Sequence, residues 1–186
     1  MTTVTTAPEA LAASVETPHE PHVPQDKYRE ILGQFCTGIT VISGIVDGRP
    51  VGFTCQSFSA LSLDPPLVLV CPQRSSTTWP QIRRTGRFTV SVLGADQRDV
   101  SNAFARSGTD KFDGVDWSLS PAGNPVIDGS IAWLDCWVLR EIDGGDHEIV
   151  ISLVDNLERG SDSAPLLFHQ GRYAQPDDEH SEEETP

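Results

Sequence analysis

Apolar positions along this chain recur mostly at every second residue, in runs broken by Gly, Asp and Pro. The first element is the exception. In QDKYREILGQF, residues 25–35, Tyr28, Ile31, Leu32 and Phe35 fall at helical spacing, which predicts an amphipathic helix. GITVISGIV then reads as a strand, Asp47-Gly48 as a two-residue hairpin turn and RPVGFTCQSF as the returning strand. LVLVC, residues 67–71, is a short, wholly apolar strand. SSTTWPQIRRTG reads as a helix, with Ser and Thr at its start, Pro80 in its first turn and Gly86 as its stop. RFTVSVL (87–93) is a strand and DQRDVSNAFA (96–105) a short helix, followed by a loop through KFDGVDW. SIAWLDCWVLREI (130–142) is a long strand, turned at Asp143-Gly144-Gly145 into HEIVISLVDNLE (147–158), and PLLFHQGRYA (165–174) closes the set. Strands follow strands through hairpin-length connections. The expected class is therefore mainly β with peripheral helices: an antiparallel sheet curled into a barrel.

Composition narrows the picture. Residues 1–24 are rich in Thr, Ala, Pro and Glu, and residues 175–186 are strongly acidic. Both are expected to be disordered tails around one domain at 25–174. The formal charge is −14, but nine acids and no Lys or Arg lie in the two tails, which leaves −5 for the domain. Without a basic face, nucleic acid is not an expected partner. No basic-then-apolar leader and no long apolar run is present, so no membrane role is expected and the expected location is cytoplasmic. Cys36, Cys55, Cys71 and Cys136 form no CxxC pair and sit among apolar residues, as buried reduced thiols would. No GxGxxG follows a strand, and no Ser-His-Asp, HExxH or P-loop pattern occurs.

Five stretches carry candidate chemistry. FTCQSFSALSLDPPLVLVC (53–71) interleaves Thr54, Gln56, Ser57, Ser59 and Ser62 with apolar residues. Small polar groups beside backbone amides suit the edge of a flat heterocycle, and an edge strand with a polar loop is the plain alternative. CPQRSSTTW (71–79) follows a strand and opens a helix. Arg74 and the hydroxyls of Ser75–Thr78, beside free helical N–H groups, would suit one phosphate, or would simply cap the helix. VSNAFARSGTDKF (100–112) mixes Ser101, Phe104, Lys111 and Phe112 and by itself reads as a solvated helix with an apolar face. HQGRY (169–173) places Arg172 and Tyr173 after an apolar strand, to clamp a ring or as an ordinary strand end. His19 and His22 lie in the N-terminal tail and make a poor metal site. In GGDHEIVIS, His147 would share a strand face with Ile149, Ile151 and Leu153, either packed or touching a ligand, and Asp146 and Glu148 would point the other way.

Taken together, QFCTGITVI, GFTCQSFSALSLDPPLVLVC, the RSST stretch, FA…DKF, GDHEIV and PLLFHQGRY resemble the flavin-reductase-like family in order and spacing, over about residues 26–174. The resemblance implies an antiparallel split β-barrel of FMN-binding type and a homodimer. It implies NAD(P)H-dependent reduction of FMN or FAD for a separate oxygenase acting on aromatic or steroid rings; the lack of an evident basic pair for a 2′-phosphate leans to NADH over NADPH. Carried over by motif, Thr37, Gly38 and Thr40 lie near the flavin. Thr54, Cys55, Gln56 and Ser57 bond the ring edge, and Ala60, Leu61 and Ser62 continue that wall. Arg74, Ser76 and Thr78 meet the phosphate. His147 faces the nicotinamide, with Arg172 and Tyr173 nearby. Cys55-Gln56 departs from the Ala-Asn or Val-Ser of many relatives. Hydride transfer needs no strong acid or base, so His147 is expected to contact the nicotinamide carboxamide and not to carry a proton. A flavin-binding protein without turnover and a pyridoxamine-phosphate-oxidase-like enzyme share such a barrel and stay open.

Overall fold

A computed structural model describes residues 23–108 and 110–176. His19, His22 and nearly all of both acidic tails lie outside the described residues. Helix α1 (Gln25–Leu32) leads into β1 (Thr37–Gly38), β2 (Thr40–Val46) and β3 (Arg49–Cys55). The β2–β3 turn has Asp47 at φ 50° and Gly48 at φ 74°, the pair of left-handed residues that a two-residue hairpin requires. Then come β4 (Phe58–Leu63), β5 (Pro66–Val70), α2 (Trp79–Arg83), β6 (Arg87–Val92), α3 (Arg98–Ala105), β7 (Trp117–Leu119) and β8 (Pro125–Ile127). Two 13-residue strands, β9 (Ala132–Gly144) and β10 (His147–Arg159), precede the short β11 (Leu167–His169) and β12 (Arg172–Ala174).

Seven strands form one antiparallel sheet in the order β3-β2-β6-β9-β10-β5-β4. Its two edge strands are consecutive in the chain and only Gln56 and Ser57 join them, so the sheet curls until its edges nearly meet at that end. Strand alternation splits the apolar residues between two cores. Ile42, Val68, Val70, Phe88, Val90 and Val150 face the inside with Trp79 and Ile82 of α2. Ile39, Val41, Leu93 and Leu166 face outward onto Phe104 of α3, Phe112 and Ile127. A strand buried on both faces reads as a continuous apolar run, which is why GITVISGIV shows weak alternation. The short hairpins β7-β8 and β11-β12, the latter paired with β1, cover that second core.

Several boundaries differ from the sequence reading. Helix α2 is only five residues long and begins after the Ser/Thr run, because Ser76 Oγ accepts the Trp79 N–H (3.1 Å) and holds that run as a turn. Phe58, read as the end of the returning strand, instead begins β4 (58–63), the edge strand that the plain reading of this stretch allowed, with a register shift between Ala60 and Ser62. The 165–174 stretch is a hairpin, turned at Gln170 (φ 50°) and Gly171 (φ 75°). The β9–β10 ladder continues to a Gly144–His147 pair, so the turn is Gly145-Asp146 in place of the expected Asp143-Gly144-Gly145. Of the thiols, Cys55 and Cys136 are buried, whereas Cys36 is exposed and Cys71 half-buried.

Candidate functional site

Where the sheet edges approach, the end of β3, the loop before α2, the start of β10 and the loop after α3 enclose a cleft of about 520 Å³. That is within the usual size of small-molecule sites, roughly 300–1,000 Å³. Phe53, Thr54, Cys55, Gln56 and Ser57 form one wall, and Gln73 with Ser75–Thr78 the opposite one. His147 stands at one side, and Phe104, Ser107 and Lys111 line the remainder.

The first wall is braced from behind. Thr40 Oγ1 donates to the Cys55 carbonyl (2.8 Å), and Thr54 Oγ1 donates to the Ser101 carbonyl of α3 (2.7 Å). The Cys55 thiol points into the core, and burial pushes its pKa up to about 11. It is a neutral, packed sulfur, so this residue offers a ligand its backbone. Gln56 and Ser57, at the junction of the two edge strands, are exposed.

The opposite wall is fastened to the turn that carries His147. The Glu148 N–H donates to the Pro72 carbonyl (3.0 Å), the Arg74 N–H donates to the Asp146 carbonyl (3.0 Å), and Gln73 bridges to His147. Side chains reinforce this. Glu148 accepts from Trp79 Nε1 (3.0 Å) and pairs with Arg83 (3.4 Å), and Arg74 pairs with Asp143 (2.9 Å). The Gly145 N–H and Arg74 together hold the Asp143 carboxyl below the usual range.

His147 Nδ1 lies 2.7 Å from Asp146 Oδ1. Period-two reasoning had sent both acidic neighbours to the opposite face. Glu148 does point that way, but Asp146 sits in the turn, outside the pleat, and its carboxylate reaches the ring. That hydrogen bond keeps the Asp146 carboxyl below its ordinary pKa. With Nδ1 paired to the carboxylate, Nε2 is the ring nitrogen left to meet a ligand.

Lys111 is the one Lys or Arg lining the cleft among the described residues. Its Nζ donates to the Gly52 carbonyl (3.0 Å), and partial burial lowers its pKa. Lys111 was visible in the sequence as part of an ordinary helix-and-loop stretch; the fold ties it to β3 and brings it into the same cleft as Ser75–Thr78. A positive charge and four hydroxyl side chains in one cleft are suited to a phosphate.

Other sequence candidates stand elsewhere. Thr54, Cys55, Gln56, Ser57, Ser76, Thr78 and His147 line the cleft, and Thr40 supports it from behind. Thr37 and Gly38 lie on β1 beside β11. Ala60, Leu61 and Ser62 continue along β4 away from it. Arg74 is engaged with Asp143. Tyr173 binds Ser101 and Asn102 through its hydroxyl and stacks with Arg98, and Arg172 is exposed on β12. Among the described residues, no group of His, Cys, Asp and Glu could hold a metal.

The chain is 48% identical over 147 residues to the flavin-dependent monooxygenase reductase subunit HsaB of Rhodococcus jostii, covering 79% of this chain and 75% of that one. It is 51% identical over 148 residues to the HsaB of Mycobacterium tuberculosis, covering 78% and 79%. Among solved structures, the nitrilotriacetate monooxygenase component B homologue from Mycobacterium thermoresistibile superposes with a TM-score of 0.82 at 48% identity, over 87% of this chain and 90% of that one. The NADH:FAD oxidoreductase SgcE6 of Streptomyces globisporus, solved with NAD and FAD fragments, superposes with a TM-score of 0.77 at 36% identity, over 84% and 95%. The "Flavin reductase like domain" pattern spans residues 32–177, which takes in both walls of the cleft, Lys111 and His147, and the chain belongs to that family.

Proposed function

We propose that this chain is the NADH:flavin oxidoreductase component of a two-component monooxygenase, reducing flavin that a separate oxygenase then uses on an aromatic or steroid-ring substrate. The observation that carries the reading is the convergence in one open cleft of a hydroxyl-and-amide wall, a phosphate-suited loop with Lys111, and His147. A bound flavin supplies the hydride acceptor, and NADH the donor.

The chain's own groups bind and orient. Gln56, Ser57 and the backbone of Thr54–Cys55 meet the polar edge of the ring system. Ser75–Thr78 and Lys111 hold the phosphate. His147, steadied by Asp146, presents Nε2 to the nicotinamide carboxamide. Thr40, Thr54 and Tyr173 act from behind the walls. Arg74 reaches the ligand only by leaving Asp143. A cleft that is open to solvent suits a flavin that must depart after reduction.

The split-barrel form and a homodimer belong to the same proposal. The curled sheet, joined at its edges by two residues, supports the barrel. For the dimer, Val150 and Ser152 of β10 point inward, so Ile149, Ile151 and Leu153 point outward beside Leu67 and Leu69 of β5. Trp137, Leu139 and Ile142 of β9 are exposed nearby. His147 begins that face, so a second copy covering it would border the cleft. No helix among the described residues is long and apolar enough to cross a membrane, and free cysteines with an NADH substrate fit the cytoplasm. Protein freed of flavin by dialysis should consume NADH only when FMN or FAD is added. NADH consumption that ignores added flavin would refute the assignment.

A further inference from the structure

Glu148 is an acid on the inward face of β10, in line with the buried Val150 and Ser152. An apolar residue is the ordinary occupant of such a position. The Glu148 side chain is only 23% exposed, and its carboxylate accepts the indole N–H of Trp79 (3.0 Å) and pairs with Arg83 (3.4 Å). The ion pair does not by itself call for an acid here, because Arg83 also reaches Glu141 (3.3 Å). The indole does. Trp79 is 1% exposed, and a buried indole N–H without an acceptor is costly.

Trp79 in turn meets both walls of the cleft. Its backbone N–H donates to Ser76 Oγ (3.1 Å), which also accepts the Thr78 N–H (3.3 Å), so Trp79 closes the hydroxyl loop. Its ring packs edge to face on Phe53 of the first wall, with centroids 6.5 Å apart. The contacts therefore run from Ser76 through Trp79 to Glu148, the covalent neighbour of His147. At the other end of the loop, Pro72, Gln73 and Arg74 are joined to residues 146–148 by backbone groups. The Trp79–Glu148 bond is the buried tie that completes this frame behind Ser76, so a displacement of the hydroxyl loop is passed to the strand end that carries His147.

We propose that Glu148 is a positioning residue through which a phosphate held at Ser75–Thr78 steadies His147 for the nicotinamide. The inference rests on the flavin-reductase reading. Coupling between two binding sites is reciprocal, so FMN and NADH each bind more tightly when the other is present. Riboflavin has no phosphate to place on the loop and gives no such gain.

Michaelis constants for NADH, measured with saturating FMN and with saturating riboflavin as acceptors, test this in wild type, Glu148→Ala, Glu148→Gln and Trp79→Phe, with a thermal melt of each. In wild type the constant should be about fivefold lower with FMN, the low end of ordinary coupling between sites. Glu148→Ala removes the acceptor and Trp79→Phe the N–H, and in both the two constants should become equal. Glu148→Gln keeps an oxygen that accepts from the indole and should keep the wild-type ratio. Where Glu148→Ala fails to fold, Trp79→Phe decides. A Glu148→Ala or Trp79→Phe enzyme that retains the wild-type ratio, even with both constants raised, overturns the proposal and leaves Glu148 an anchor of α2. A wild type that reduces both acceptors with one and the same NADH constant also overturns it, while the reductase reading stands. A wild type that oxidises NADH with neither acceptor overturns the reductase reading itself.

Discussion

Replacing Lys111 by methionine keeps an unbranched apolar stem and removes the ammonium, which isolates the part Lys111 plays in holding phosphate. Hydrogen bonds to charged groups contribute about 1.5–3 kcal/mol, or roughly 10- to 150-fold in Kd. Lys111 is only partly buried, so screening by water puts the expected loss near the lower end, about tenfold for FMN. Riboflavin has no phosphate and should bind the variant as it binds wild type. The loss of the bond to the Gly52 carbonyl should cost about 1 kcal/mol of stability, too little to unfold the domain. The assay is a pair of titrations, FMN and riboflavin, into each protein. The pH dependence gives an independent check. Phosphate binding requires the ammonium, and burial places the Lys111 pKa below 10.5 in the free protein. The preference for FMN over riboflavin should therefore be full near neutrality and fade as pH rises, at a lower pH than an ordinary lysine would give. A Lys111→Met variant whose FMN-to-riboflavin affinity ratio equals that of wild type would refute the phosphate role.

His147→Ala should raise the Michaelis constant for NADH several-fold and leave flavin affinity nearly unchanged, because on the proposed reading the ring meets the nicotinamide while Ser75–Thr78 and Lys111 hold the flavin phosphate; steady-state kinetics with varied NADH will show it. Asp146→Asn should move the same constant in the same direction by a smaller factor, since it loosens the ring without removing it. Gly52→Ala places a Cβ 2.8 Å from Phe104 Cε1 and 2.9 Å from the Ile42 carbonyl, so α3 must shift. Overpacking of that kind costs about 1–3 kcal/mol, which a thermal melt should report as a fall of about 5 °C in Tm. Ile151→Lys puts a charge on the outward face of β10 and should convert a dimer to monomer in light scattering; an unchanged mass would remove that face from the interface.

Period two and the turn residues made most of the large sheet legible, because β2, β5, β6 and β10 each bury residues of at least one face; the edge strand β4 buries none. The small hairpins were not. Residues 117–127 lack a long alternating run, and their strands are held by tertiary bonds such as Ser43 Oγ donating to the Pro125 carbonyl (2.6 Å) and Ser120 Oγ donating to Asp135 (2.7 Å). In the site, the hydroxyl-rich stretches at 54–57 and 75–78 were visible as unusual chemistry between apolar strands. Lys111 was named only within a stretch that read as a solvated helix, since a lysine in a loop has no local signature; its place in the cleft comes from its bond to the Gly52 carbonyl. The Asp146–His147 contact was missed for a different reason: strand alternation was extended one residue too far, into a turn where it does not apply. Tyr173 and Arg74 were assigned outward roles that their hydrogen bonds to Asn102 and Asp143 now occupy.

The central claim is that the cleft reduces flavin and lets it go. Anaerobic mixing of a trace of this protein with excess FMN or FAD and limiting NADH tests it most directly, with the flavin and nicotinamide absorbance bands followed together. The account predicts that the flavin band falls one-for-one with NADH over many equivalents of protein. Reduction that stops after one equivalent of flavin per protein, or that never begins, would contradict it.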